Sequence, residues 1–174
     1  MPSRTVAILA AAAVIIAALV ITVVLVTGSG SSVSNDGQYT ARANAICRIA
    51  GSTTLPVIKR LTTAAESLMS SGGEKSSPQV TGELRQLYVT ARQTLTKLRA
   101  VKEPIADRGS IEQFLTPFAV VTKALGQAAT AAGAGQPQKA LLEVEAVASD
   151  SQQMTSAAKS LGLTACQNAL AAVP

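Results

Sequence analysis

The sequence predicts an all-α chain. It should have a single N-terminal transmembrane helix, a flexible linker and an up-down-up-down four-helix bundle ectodomain closed by one disulfide. Three observations predict this. An apolar run without a charge occupies residues 5–26. The remainder is rich in Ala, Leu, Gln, Lys, Arg and Glu, and no segment sustains a two-residue alternation of β-branched residues. Proline, glycine and capping residues divide that remainder into segments whose apolar positions recur every three or four residues.

Residues 5–26 read TVAILAAAAVIIAALVITVVLV. At ~1.5 Å per residue the run spans ~33 Å, enough for a bilayer core of ~30 Å. It is apolar on every side, which a domain of this size could hardly bury. It is also longer than the ~7–15 apolar residues of a signal peptide. An uncleaved anchor is therefore expected. Cleavage near Thr27-Gly28-Ser29 is the competing reading. Arg4 precedes the run, and the next basic residue is Arg42. The positive-inside rule then makes residues 1–4 a cytoplasmic stub, with the rest of the chain outside a bacterial cell membrane.

Residues 27–37, TGSGSSVSNDG, read as a flexible linker, and 38–174 as the extracytoplasmic bundle. The first helix is expected from near Asn35-Asp36 to about Met69, with Gln38 three after Asn35 as in a capping box. Gly51 and Pro56 should break or kink it. Ser77-Pro78 opens the second helix, which should run to about Lys102 and stop before Pro104. Ser110 and Gln113 form a second capping-box pattern for the third helix, bent at Pro117 and ended by Gly133-Ala134-Gly135. Pro137 opens a fourth helix reaching Leu161, stopped at Gly162, and a short helix over 164–172 follows.

The apolar stripes agree with this division. They are Leu84, Leu87, Ala91, Leu95 and Leu98 in the second helix, and Ile111, Leu115, Phe118, Val121, Leu125 and Ala128 in the third. The fourth carries Leu141, Val144, Val147, Met154, Ala158 and Leu161, with one gap across Ser151. Such stripes read as bundle core rather than as a cofactor pocket.

Cys47 and Cys166 lie 119 residues apart. In an up-down-up-down bundle, the start of the first helix and the end of the fourth share one end. Outside the cytoplasm the two thiols should oxidise to a disulfide. On the chain-entropy view, closing so long a loop stabilises by ~4–5 kcal/mol. No C-x-x-C pattern suggests redox catalysis.

Ala43-Asn44-Ala45-Ile46-Cys47, Leu98-Arg99-Ala100-Val101-Lys102-Glu103-Pro104 and Leu161-Gly162-Leu163-Thr164-Ala165-Cys166 carry a resemblance. Over about 40–170 the chain resembles small actinobacterial membrane-anchored or lipoprotein-like extracytoplasmic helical proteins. These have an A-x-A-I-C opening and an L-G-L-x-x-C close. Relatives often show a double proline where this chain has a single Pro104. The resemblance implies a disulfide-tied helical ectodomain and no particular chemistry.

Composition excludes several activities. With no His, the Ser-His-Asp and Cys-His mechanisms and His-ligated zinc or haem are out. Two Cys cannot make a four-cysteine site. Two Tyr, two Phe and no Trp give no base-stacking platform, so nucleic acid is not an expected partner. No cofactor or metal is expected. Glu103, Asp107 and Glu112 flank Gly109 without a calcium-loop pattern.

Ser156-Ala157-Ala158-Lys159 matches S-x-x-K but lacks the S-D-N and K-T-G partners of penicillin-recognising enzymes. Arg85, Arg92 and Arg99 are spaced by seven and so share one helix face. Arg60, Lys97, Lys102 and Lys123 add to the positive charge. This face is a candidate for anionic lipid, an anionic envelope polymer or an acidic envelope protein, against the plainer reading of a solvated surface.

The expected function is a non-enzymatic, membrane-tethered binding or scaffolding module, held by membrane lipid around its N-terminal helix. The alternatives are a small-ligand-binding bundle, which a closed and well-filled core would count against, and a Ser156/Lys159 envelope hydrolase.

Overall fold

The computed structural model describes residues 36–70, 78–104, 107–146 and 148–171, and no strand occurs among them. The helices are α1 Asp36–Ser70, α2 Pro78–Arg99, α3 Arg108–Gly133, α4 Pro137–Glu145, α5 Ala148–Ser160 and α6 Thr164–Ala171. The expected stub, the 5–26 membrane helix and residues 27–35 of the expected linker lie outside the described residues. Among the described residues no helix is long and apolar enough to cross a membrane. Asp36 and Gly37, assigned above to the linker, already belong to α1.

Most of the helices pack on a chain neighbour or one beyond. α1 meets α2, α2 meets α3, α3 meets α4 and α5, and α6 returns to α1. Two clusters of buried side chains show the directions. One joins the start of α1 (Tyr39, Ala43, Cys47), the end of α2 (Leu95, Leu98), the start of α3 (Ile111, Phe114, Leu115), the end of α5 (Met154, Ala157, Ala158) and α6 (Cys166). The other joins the later part of α1 (Leu61), the start of α2 (Leu84), the end of α3 (Ala128, Ala129, Ala131, Ala132) and the start of α4 (Ala140). Starts meet ends throughout, so successive rods alternate in direction, with α4 and α5 together forming the fourth.

α1 continues through Gly51 and Pro56, and α3 through Pro117. Each proline deprives the carbonyl four residues back, on Ser52 and Gln113, of its donor. Three expectations about the elements need correction. The fourth helix is two helices, one ending at Glu145 and the next starting at Ala148. Both pack on α3, and α5 also meets α6. α2 ends at Arg99, three residues before the expected Lys102. Finally, α3 starts at Arg108, so Asp107 and not Ser110 holds the N-cap position, without a side-chain capping bond. Arg108 reaches back to Glu103 (Nε–Oε2 3.8 Å).

The glycine terminators act as expected. At the end of α3, Gly135 has φ +71°, its N–H donates to Ala132 O (3.0 Å), and Gln136 N–H donates to Ala131 O (2.9 Å). At the end of α5, Gly162 has φ +65°, with Gly162 N–H to Lys159 O (3.1 Å) and Leu163 N–H to Ala158 O (2.8 Å). Both are Schellman motifs, in which a left-handed residue lets the last carbonyls find donors. In the second, Leu163 and Ala158 are fully buried, so the motif also carries its apolar contact.

Candidate functional site

The site is built outward from Cys47 and Cys166, which form a disulfide with Cα atoms 4.8 Å apart. One turn before Cys47, Asn44 aligns the two chain segments. Its Nδ2 donates to Gly162 O (3.1 Å), and its Oδ1 accepts from Ala165 N–H (2.8 Å). Asn44 thus caps the start of α6 from another helix, serving a donor that α6 cannot satisfy itself. Thr40 Oγ1 donates to Leu161 O, at 3.4 Å. Just beyond, Gly51 lets α6 come close, since a Cβ there would sit 3.0 Å from Ala169 Cβ.

Above the disulfide lies an apolar cavity of about 230 Å³, partly open to the surface and lined by residues of both buried clusters. α1 lines it with Cys47, Ala50, Gly51, Thr54, Ile58 and Leu61, and α2 with Leu87, Thr90, Ala91 and Thr94. α3 adds Phe114, Phe118, Val121 and Leu125, and the floor is Met154, Cys166 and Ala169. Phe114 and Phe118 pack at 5.9 Å between centroids, tilted by 52°.

The lining is almost wholly apolar despite its threonines. Thr54 Oγ1 donates to Ala50 O (3.0 Å), and Thr94 Oγ1 donates to Thr90 O (2.8 Å). Their hydroxyl protons are thus used within their own helices, as helical Thr often does. The chamber offers hydrocarbon contact and no charge. An apolar cavity of ~150 Å³ already accepts benzene, while drug-sized ligands need ~300–1,000 Å³. The guest that fits is a small apolar one between those limits.

The stripes read as core from the sequence therefore divide. Leu84, Leu95, Leu98, Ile111, Leu115 and Ala128 are buried in the clusters. Leu87, Ala91, Phe118, Val121 and Leu125, in the middle of the stripes, line the cavity. Periodicity shows which way these side chains face, but not whether anything meets them.

Tyr39 is the other unusual group at this end. It is 3% exposed, and among the described residues its phenol oxygen has no hydrogen-bond partner. Burial, then the Glu103 and Glu112 carboxylates, push its pKa up to about 12.

The remaining sequence candidates sit elsewhere. Arg85, Arg92 and Arg99 are all exposed on α2. Of the three, Arg92 lines a groove of about 630 Å³ over α3 that also has Lys123 and Lys139 on its walls. Lys139 carried no signal that the spacing of the α2 arginines could have revealed, because it comes from another helix. Ser156 and Lys159 are exposed on α5 and line neither hollow. Glu103 pairs with Arg108, and Glu112 Oε2 accepts from Thr116 Oγ1 (3.4 Å). Among the described residues no group of three or more His, Cys, Asp or Glu is placed to hold a metal ion. Compared with known protein families, curated proteins and solved structures, the chain matches none.

Proposed function

We propose that the chain is a membrane-tethered helical binding module on the outer side of a bacterial cytoplasmic membrane, and that its bundle takes up a small apolar guest. The observation that carries this reading is the apolar cavity lined by residues of both core clusters. A filled core would leave room only for a scaffolding role. Here side chains from five helices line a space in which Thr54 and Thr94 have already spent their hydroxyl protons.

The tether rests on the uncharged run 5–26, and its orientation on Arg4. The disulfide supports an oxidising compartment. So does the resemblance to extracytoplasmic actinobacterial proteins. Membrane lipid around 5–26 is the first partner in this reading.

The test uses the full chain in phosphatidylcholine nanodiscs, labelled with ¹³C at the methionine methyls. Met154 lines the cavity, and Met1 and Met69 are the other two methionines. Titrated toluene should shift the Met154 methyl saturably, well beyond the others. Ala91→Leu should fill the space, raise Tm and abolish the shift, because cavity filling stabilises. Equal small shifts at all three methyls, or a lower Tm for Ala91→Leu, would mean that the core has no room. For orientation, a C-terminal alkaline phosphatase fusion should be active, and an inactive one would place the bundle on the wrong side.

A further inference from the structure

The groove over α3 has a different character from the cavity and shares no lining residue with it. Its volume is about 630 Å³, as an open trough along the surface. It follows α3 from Ala119 to Ala134, ~22 Å at the helical rise, so its shape suits a chain and not a single ion.

Close packing forms its wall. The Tyr88 ring lies against Gly126, where a Cβ would come within 2.9 Å of Cε2. α2 and α3 run antiparallel, so Arg92, one turn beyond Tyr88, comes level with Thr122 and Lys123. Lys139 stands on α4, toward the other end. Against these three cations the groove sets one carboxylate, Glu143. Among the described residues none of the four takes part in an ion pair. Between the charges lie the exposed amides of Gln127 and Gln136.

We infer that this groove binds a segment of a soluble phosphodiester-linked polyol, with phosphates at Arg92, Lys123 and Lys139 and hydroxyls at the glutamines. Guanidinium and ammonium groups are the usual phosphate donors. Unpaired cations held in one concavity gain most from an anion that reaches them together. The amides provide neutral donors and acceptors for hydroxyl groups, and Tyr88 an apolar face for carbon-bound hydrogens. Access to such a polymer rests on the outward placement proposed above. The groove itself does not depend on the apolar guest.

The test is binding of a soluble poly(glycerol phosphate) oligomer to the full chain in phosphatidylcholine nanodiscs, beside inorganic polyphosphate of matched charge. The oligomer should bind more tightly than polyphosphate. Arg92→Gln with Lys123→Gln should weaken it about tenfold or more, as expected for two charge-assisted bonds. Lys139→Gln should weaken it further. Arg85→Gln with Arg99→Gln, exposed on the same helix but outside the groove, should change it less than about twofold.

Equal losses from both double variants would overturn the site in favour of diffuse attraction. Tighter polyphosphate binding would overturn the polyol assignment. Displacement of the oligomer when phosphatidylglycerol replaces phosphatidylcholine would overturn the soluble source and make the groove a lipid-headgroup site. None of these results bears on the toluene titration, so this inference and the apolar-guest reading fail separately.

Discussion

At the disulfide end of the bundle, Leu98, Ile111, Phe114, Leu115, Met154 and Leu163 fill the space between helices, all with essentially no exposure. At the opposite end that space is closed by Ala128, Ala129, Ala131, Ala132 and Ala140, with Leu61 and Leu84 as the large buried side chains. Large side chains bury more apolar area each, at roughly 25 cal/mol per Å². Alanine buries little but loses no rotamer entropy and is the best helix former.

The first end adds directed links, namely the disulfide and the Asn44 bonds to Gly162 and Ala165. The second adds the half-exposed pair of Arg60 and Glu83, Nε to Oε1 at 2.6 Å and Nη2 to Oε2 at 3.0 Å. Exposed pairs of this kind contribute modestly. The cavity lies where these two styles of packing meet. Its lining draws Phe114 and Met154 from one cluster and Leu61 from the other. One end is thus sensitive to losing atoms and the other to gaining them.

The largest way to break this contrast is to remove the cross-link. Cys47→Ser with Cys166→Ser, which leaves no stray thiol, should cost about 4 kcal/mol by the loop-entropy estimate, measured by denaturant unfolding. A loss below about 1 kcal/mol would mean that packing alone holds the end together.

Next comes a matched pair of substitutions. Leu98→Ala should cost about 3 kcal/mol, because a fully buried leucine leaves a void. Ala128→Leu, at an equally buried alanine, should cost about 2 kcal/mol by overpacking. If Ala128→Leu stabilised the protein instead, the alanine end would be loosely packed and the contrast false.

Asn44→Ala should cost about 1 kcal/mol, in the range of lost helix caps. Amide exchange should then speed up in α6 before any other helix, and uniform acceleration would contradict a local capping role.

Tyr39→Phe gives the smallest effect and one of opposite sign. Deleting a buried, unpartnered hydroxyl should stabilise by about 1 kcal/mol or less. The phenol also predicts a pH dependence. Its folded pKa is raised to about 12 from 10, so the folded state holds a proton that the unfolded state releases. The wild type should therefore lose stability relative to Tyr39→Phe as pH rises from 10 toward 12, with no such difference below pH 10. Parallel curves across that range would show that Tyr39 is solvated.

Much of the scaffold was legible because its signals act within a turn or two. Pro78 and Pro137 open helices, and Gly135 and Gly162 adopt the left-handed conformation that ends them. The pairing of Cys47 with Cys166 was legible too, since an even number of alternating rods brings the chain's two ends together.

Other features were decided only by the packed structure. Pro56 and Pro117 spoil one local bond each, yet α1 and α3 continue through them. The division between Glu145 and Ala148 has no proline or glycine to mark it; both halves pack on α3, and α5 also meets α6.

The cavity was hidden for a deeper reason. Leu87, Ala91, Phe118, Val121 and Leu125 carry the same periodicity as their buried neighbours, and each alone reads as core. A void is a difference between the volume that helix spacing encloses and the volume that side chains supply. That spacing is set jointly by residues remote in sequence. The groove is hidden likewise, since Arg92, Lys123 and Lys139 come from three helices that only the fold brings to one trough. The order of residues thus determined which segments are helical, where most of them stop and which ends are tied. The distances between those helices, and with them both hollows, belong to the tertiary structure alone.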